Sequence, residues 1–344
     1  MTDITDAIQG LADTVGAPDD DQAMVREVIE GLSLPLKRIS SKFHYDERGS
    51  KLFEQITKLD EYYPTRIERD LLRKWMPIWV AELRPATLVE LGAGSAEKSR
   101  VILDAMVHEE CGTAYVPVDV SHDFLRETAR RISDEYPGLE VLPTVADITA
   151  PLRLPEAVPH PSWIAFLGST LGNFDDAGAA ELIGRIAVEV EPSDAFLLGV
   201  DLRPGPHKTV ERIELAYDDP SGVTAEFSLN VLSVLNAEVG SDFDPSAFRH
   251  RSSYSLEEHR IETFLESLRD QRVRFGDGTQ ISIAAGELVR TEISCKYDRP
   301  TIASHFAGAG LALDRWVEDE RGFYALALGS LASQPIRRRP RRGR

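Results

Sequence analysis

The sequence is poor in cysteine, in basic residues outside its last few positions, and in long apolar runs. Two cysteines, Cys111 and Cys295, are too few for a disulfide framework and lack the CxxC spacing of a zinc site. A reducing, cytoplasmic setting is the expectation. No stretch approaches the ~18 consecutive apolar residues of a membrane-spanning helix. The opening MTDITDAIQG has neither the basic start nor the apolar core of a secretory signal. Lys and Arg number 39 against 57 Asp and Glu, for a net charge of −18. Six arginines crowd into the final RRRPRRGR, so the rest of the chain is more acidic still. An acidic body repels phosphate backbones, and nucleic acid is not an expected partner. The arginine tail, broken by Pro and Gly, reads as a flexible end.

Several catalytic signatures are also missing. There is no GxxxxGK[ST] loop, no GxSxG elbow and no HExxH pair. The eight histidines are scattered, and no metal is expected. Both cysteines read as packing residues rather than nucleophiles.

What is present is alternation. ATLVEL, AYVPVDV, LEVLPTVAD, WIAFLGST and AFLLGVDLRPG read as strands, separated by helical segments such as HDFLRETARRISDEY and AGAAELIGRIAVEV. This order predicts an α/β fold with a parallel, doubly wound sheet and right-handed crossovers. Between 204 and 287 the alternation stops. HKTVERIELAYDD and SLEEHRIETFLESLRD read as helical there, and VRFGDGTQISI as strand-like. Then GELVRTEISCKY, PTIASHFAGAGL and FYALALGS read as strand, helix and strand, returning to the sheet. The expected organisation is a sheet domain over 67–203 and 288–333, interrupted by an insertion. That insertion, 204–287, packs with 21–66 as a second domain. No strand is expected before residue 60, and 1–20 and 334–344 read as flexible tails. A monomer is the default expectation.

The turn after the first strand is Glu90-Leu91-Gly92-Ala93-Gly94-Ser95. Glycines at a strand–helix turn let a ligand approach the backbone. A dinucleotide fingerprint needs a third small residue where Glu97 stands, and its charge opposes a pyrophosphate. The loop therefore suits a nucleotide-like cofactor without phosphates, such as S-adenosylmethionine, or it is simply a tight turn. Asp119 ends the second strand, where a carboxylate can accept ribose hydroxyls. Asp147 ends the third, placed for an adenine amino group. Each alone is equally an N-cap. Three signals at successive strand ends fall at the edge where open parallel sheets bind ligands.

FHYDERGSKLFEQIT, EYYPTR, LVELGAGSAEKSR, FLGSTLGNF, YDDPSGVTAEF and TEISCK, in this order, together resemble the histidine-specific methyltransferase family. The resemblance covers about residues 35–330. It implies a class I S-adenosylmethionine-dependent methyltransferase (Rossmann-like) domain, plus an α+β substrate-binding domain made of an N-terminal segment and an insertion. The family transfers three methyl groups to the α-amino nitrogen of histidine, giving hercynine, a step of ergothioneine biosynthesis. Carried over by motif, Gly92, Lys98, Asp119 and Asp147 are implied cofactor contacts. Tyr62 is an implied substrate-site residue, and Tyr45 lies near the reacting amine as the implied catalytic group. Asn173 and Tyr217 hold the amino-acid group, chiefly its carboxylate. Glu292 and Ser294 hold the imidazole. Thr263, in RIETF, stands where the histidine enzymes carry a methionine lining the side-chain pocket.

Strand alternation in ELVRTEISCKY puts Val289, Thr291, Ile293 and Cys295 on one face and Arg290, Glu292, Ser294 and Lys296 on the other. Glu292 and Ser294 are then neighbours suited to ring nitrogens. Equally, this is a solvated face with Glu292 paired to Arg290 or Lys296. Asn173 and Tyr217 also fit a turn residue and a half-buried aromatic. The expected activity is S-adenosylmethionine-dependent trimethylation of L-histidine. Methylation of another amino acid, such as tryptophan or tyrosine, and a non-catalytic binding protein of the same fold remain as alternatives.

Overall fold

The computed structural model describes residues 19–332 apart from 151, 153, 156 and 157. The arginine tail lies outside the described residues. The chain opens with α1 (Asp19–Leu32), a short β1 (Lys37–Arg38), a 3-10 turn at Ser41–His44, α2 (Glu47–Ile56) and α3 (Pro64–Leu83). Then come β2 (Thr87–Leu91), α4 (Ser99–His108), β3 (Ala114–Asp119), α5 (His122–Glu135), β4 (Glu140–Val141) and β5 (Thr144–Val145). They are followed by β6 (Ser162–Phe166), a 3-10 turn at Thr170–Asn173, α6 (Asp176–Val188) and β7 (Ala195–Asp201). Helices α7 (Val210–Leu215) and α8 (Val223–Glu238) lead to β8 (Phe248–Ser255), β9 (Arg260–Ser267), β10 (Gln271–Arg274), β11 (Gln280–Ile283) and β12 (Leu288–Cys295). The chain closes with α9 (Arg299–Gly308), β13 (Leu311–Glu318) and β14 (Tyr324–Leu331).

The larger sheet has the order β13-β14-β7-β6-β2-β3-β4, with β5 also on β3. From β7 to β4 the pairs are parallel, and β14 is antiparallel to β7. Every residue of β2, β6 and β7 is buried, as near-continuous apolar strands covered on both faces must be. One face packs on α6 and α9 through Leu182, Ile186, Ile302 and Phe306. The other packs on α3, α4 and α5 through Leu72, Met76, Ile102 and Ile132. The segment expected as one third strand is two short ones, with Pro143 between them offering no N–H to a ladder. Strand order reverses at β2, between β3 and β6, and this switch point locates the ligand crevice.

Three expectations are corrected by the second sheet, of order β1-β12-β9-β8. First, β12 does not return to the large sheet. It pairs antiparallel with β9, and the chain rejoins the first domain only at the bridge between Tyr297 and Leu202. Second, the N-terminal segment does own a strand: β1 runs parallel to β12, with Lys37 opposite Val289. Third, RIETFLES is a strand, not a helix. Ile261, Thr263, Leu265 and Ser267 alternate as its buried face. The N-terminal segment and the insertion share one core, in which Val28, Leu32, Ile39 and Phe43 meet Val231, Leu235, Leu265 and Val289.

Candidate active site

At the switch point, β2 ends in a turn that only glycine makes without strain. Gly92 has φ +70°, and a Cβ there would meet nothing within 4 Å, so open space faces the loop. The Asp119 carboxylate accepts the Gly94 N–H at 3.0 Å and the Ser121 N–H at 3.0 Å. These bonds fix its orientation beside the glycine loop. Asp147 is exposed and accepts from the Thr149 N–H and hydroxyl, which is an Asx turn. It follows by two residues Val145, which is in register with Asp119. Lys98 is tied to the fully buried Glu68 at 2.8 Å. Glu68 also accepts the Gly168 N–H and the Tyr324 hydroxyl, each at 2.7 Å, so it clamps the loop after β6 to α3 and β14. Below the glycine loop, Tyr115 donates to Glu90 at 2.5 Å, and burial pushes the Glu90 carboxyl up to about 7. Glu68 and Glu90 were not identified from the sequence, although Glu90 opens the glycine motif.

The loop after β6 turns sharply through two left-handed residues, Gly168 (φ +83°) and Ser169 (φ +57°). The turn aims Thr170–Asn173 at β12. A Cβ on Gly172 would lie 2.8 Å from the Cys295 carbonyl oxygen, so glycine is needed for this approach. Tyr297 donates to the Leu171 carbonyl at 3.0 Å. Asn173 is thereby held next to the end of β12 that carries Ser294. No protein group engages its side chain among the described residues.

The substrate-site residues implied by resemblance come from six separate segments of the chain. Tyr217, after α7, lies 2.8 Å from Ser294 across their hydroxyls. Its ring meets Tyr62 edge-on at 6.0 Å. Tyr45 packs against Phe53 and Phe227 at 5.8 and 5.6 Å, and Phe53 in turn packs against Tyr62. This aromatic wall was not read from the sequence. Desolvation, then the charge of Glu292, raises the Tyr45 phenol well above its usual range. The residue is 37% exposed, which tempers the desolvation, but Glu292 and Tyr217 push in the same direction. Tyr45 is therefore a neutral hydrogen-bonding group at neutral pH and not a phenolate base.

On β12 a bulge between Arg290 and Glu292 resets the alternation. Glu292 and Ser294 do share a face, but Arg290 sits opposite Phe264 on the other side. Arg290 bonds Glu262 at 3.2 Å, and Lys296 pairs with Asp201 at 2.8 Å. Neither takes Glu292. Its carboxylate has no ion-pair partner among the described residues, and desolvation pushes it up to about 7 against the pull of Lys296. Ser252, Thr263 and Glu292 lie in register across three strands. The Ser252 and Thr263 hydroxyls are buried without a hydrogen-bond partner. A row of unpaired polar groups on a buried face is a site shaped for a polar ligand.

Behind Tyr217 and Ser294 lies a charged cluster that the sequence reading missed. Asp201, at the end of β7, takes Lys208 at 2.5 Å, Lys296 at 2.8 Å and the Tyr63 hydroxyl at 2.8 Å. Asp201 and both lysines are fully buried. Lys296 also donates to Tyr217 at 2.8 Å and to Ser294 at 2.9 Å. Asp201 was findable: it ends the fifth strand at the same edge as Asp119. Among the described residues no group of three or more His, Cys, Asp or Glu side chains is placed to hold a metal ion. A surface groove lined by Arg69, Arg73, Glu97 and Arg100 shares no residue with this site.

The strand order, with one antiparallel hairpin at the edge beyond β7, is that of a class I S-adenosylmethionine-dependent methyltransferase, and the open glycine loop beside Asp119 fits that cofactor. Residues 24–331 match the model of a family described as "Histidine-specific methyltransferase, SAM-dependent". The histidine N-alpha-methyltransferase of Mycolicibacterium smegmatis is 40% identical over 321 residues, 92% of this chain and 98% of that protein. That of Mycobacterium tuberculosis is 39% identical, over 93% and 98%. Ergothioneine biosynthesis protein 1 of Schizosaccharomyces pombe is 30% identical over 65% of this chain and 30% of its own length. The chain belongs to the histidine-specific methyltransferase family, and it is an S-adenosylmethionine-dependent amino-acid N-methyltransferase. No helix among the described residues is long and apolar enough to cross a membrane.

Proposed function

We propose that the protein methylates the α-amino nitrogen of L-histidine three times, giving hercynine, and so serves ergothioneine formation. The observation that carries this reading is the unpaired Glu292 carboxylate beside Ser294 and Thr263. A buried acceptor of this kind calls for a ligand N–H, and an imidazole offers one where an apolar side chain offers none. Leaving the acceptor unpaired costs on the order of 1–3 kcal/mol, which disfavours apolar amino acids.

S-adenosylmethionine, when bound, supplies an electrophilic methyl carbon. The residues of this chain supply position. Gly92 opens the crevice and Asp119 accepts the ribose hydroxyls, with Asp147 and Lys98 at the rim. Asn173 and Tyr217 hold the substrate carboxylate, one from each domain. Glu292 and Ser294 hold the ring, with Thr263 beside them. Tyr45 and Tyr62 face the amine with Phe53 and Phe227, and aromatic faces suit the growing positive charge of a methylated ammonium. The amine must shed a proton before each transfer. With Tyr45 held neutral, water takes the proton, and Tyr45 can accept an N–H of the free amine in the first two transfers; the dimethylated nitrogen carries none and is held by the anchored carboxylate and ring.

The deciding assay offers equal histidine, tryptophan and tyrosine and reads the products by mass spectrometry. Faster trimethylation of either competitor overturns the choice of histidine. Two variants separate the halves of the site. Asp119→Ala should weaken S-adenosylmethionine by about 2 kcal/mol, roughly 30-fold in Kd, since charge-assisted bonds are lost. Calorimetric titration reads this directly, and an unchanged Kd refutes the ribose role. Asn173→Ala should raise the histidine KM about tenfold or more and leave cofactor affinity intact, because its side chain engages no protein group. Equal loss of both affinities would make Asn173 a support of the loop instead.

A further inference from the structure

The Lys296 ammonium spends its protons on protein, and two of the groups it touches are hydroxyls of the proposed substrate site. Its ammonium has three protons, and three oxygens surround it: Asp201 at 2.8 Å, Tyr217 at 2.8 Å and Ser294 at 2.9 Å. All three protons are spent on protein. The Tyr217 and Ser294 hydroxyls therefore each accept one bond from Lys296, and they bond each other at 2.8 Å. Only one of the two can then direct a proton outward. If Tyr217 gives its proton to a substrate carboxylate, Ser294 must give its own to Tyr217. Ser294 is left presenting a lone pair. Next to it on the same face, Glu292 presents an unpaired carboxylate.

We propose that Lys296 is a positioning residue that makes the ring end of the site an acceptor at both Ser294 and Glu292, so that an imidazole binds with a proton on each nitrogen and a solvent proton enters with it. This rests on the histidine reading above. The proton balance is simple. A neutral ring has one N–H, which goes to Ser294. Its second nitrogen faces the Glu292 carboxylate, and one proton taken from solvent lies between them. The device also sets specificity. An indole or a phenol has a single donor and satisfies one of the two acceptors, whereas the imidazolium satisfies both.

The charged and titratable groups around Lys296 and Glu292 come from every neighbouring segment. They are Asp201 from β7, Lys208 from the loop after it, Tyr62 and Tyr63 ahead of α3, Tyr217 after α7, Tyr45, Tyr254 on β8, and Cys295. The tyrosines and Cys295 are all pushed upward and stay neutral near pH 8. Lys208 lies on the other oxygen of Asp201, and burial pushes it down to about 8; Ser294→Ala keeps this pair, so the difference between the wild-type and Ser294→Ala counts removes its contribution.

The test is calorimetric titration of the full chain, saturated with S-adenosylhomocysteine, with hercynine at pH 8 in buffers of different ionisation enthalpy. Hercynine has no titratable α-nitrogen, so the amine does not enter the count. Wild type should take up about one proton per ligand bound. Ser294→Ala, which keeps the Asp201–Lys296 pair, should bind with little or no uptake, because the single N–H of a neutral ring can then go to Glu292. Lys296→Met should likewise lose the uptake and raise the histidine KM about tenfold or more, with S-adenosylmethionine affinity unchanged. Should Lys296→Met not fold, the wild-type and Ser294→Ala counts decide. Wild-type binding without proton uptake overturns the proposal, as does undiminished uptake in Ser294→Ala or Lys296→Met. A wild type that methylates tryptophan or tyrosine in preference to histidine, or that does not bind hercynine, overturns the substrate reading beneath it instead.

Discussion

Asp201→Asn should destabilise the fold by about 3–5 kcal/mol, the usual consequence of leaving a buried charge without its partner. Asp201 is the one carboxylate bonded to both Lys208 and Lys296, and none of the three groups is exposed. A neutral amide leaves two ammoniums facing each other in the interior. Natural domains are stable by only about 5–15 kcal/mol, so this is a large fraction of the total. A urea melt near pH 7 reads it. The pH dependence has a definite sign. Burial already pushes Lys208 down to about 8 in the intact cluster. A lysine whose folded pKa lies below its unfolded value binds more protons when unfolded, so its stability contribution rises with pH through that window. The deficit of Asp201→Asn should therefore shrink above about pH 8. A melt within error of wild type near pH 7 would show that the cluster is solvated and not buried.

Glu292→Gln should have opposite effects on activity and stability. Loss of a charged acceptor for a ring N–H, worth about 1.5–3 kcal/mol, should lower kcat/KM for histidine roughly 10- to 150-fold. The ligand-free protein should become more stable at pH 8. Glu292 has no ion-pair partner, and its carboxyl is pushed up to about 7 by desolvation. An acid with a raised folded pKa stabilises the fold while protonated, and that contribution is lost as pH rises from its unfolded value through 7. The amide is neutral throughout, so the gain in Tm over wild type should be present at pH 8 and absent at pH 5. Such a trade marks a group kept for function. Equal Tm at both pH values would mean that Glu292 is paired in solution, and the ring-binding role would fall with it.

Much of this site is legible in the chain because its parts are local. The glycine turn follows β2 within a few residues, Asp119 ends the next strand, and Asp147 follows β5 by two residues. The polar pair Glu292 and Ser294 needs only a period of two. Where pairing partners are distant, the same patterns mislead. RIETFLES carries apolar residues that fit a helical stripe as well as a strand face, and only pairing with β8 and β12 decides for the strand. GELVRTEISCKY announces a strand but not which sheet it joins. The bulge that turns Arg290 away from Glu292 inserts Thr291 into β12 opposite a single step of β9, and it shows only in the pairing of the two strands.

By itself the sequence determined the alternation of the large sheet, the strand edge at which a ligand is expected, and the motifs that place the chain in its family. These depend on periodicity and on residues close together along the chain. Only the tertiary structure decided that β12 belongs to the second sheet, that Glu292 stands without a partner, and that one lysine joins Tyr217 to Ser294. Asp201, Tyr217 and Lys296 come from three separate stretches of chain, and no local pattern records their meeting. Burial of two lysines is tolerable only because a single carboxylate between them balances much of their charge, and that balance exists in the folded chain alone.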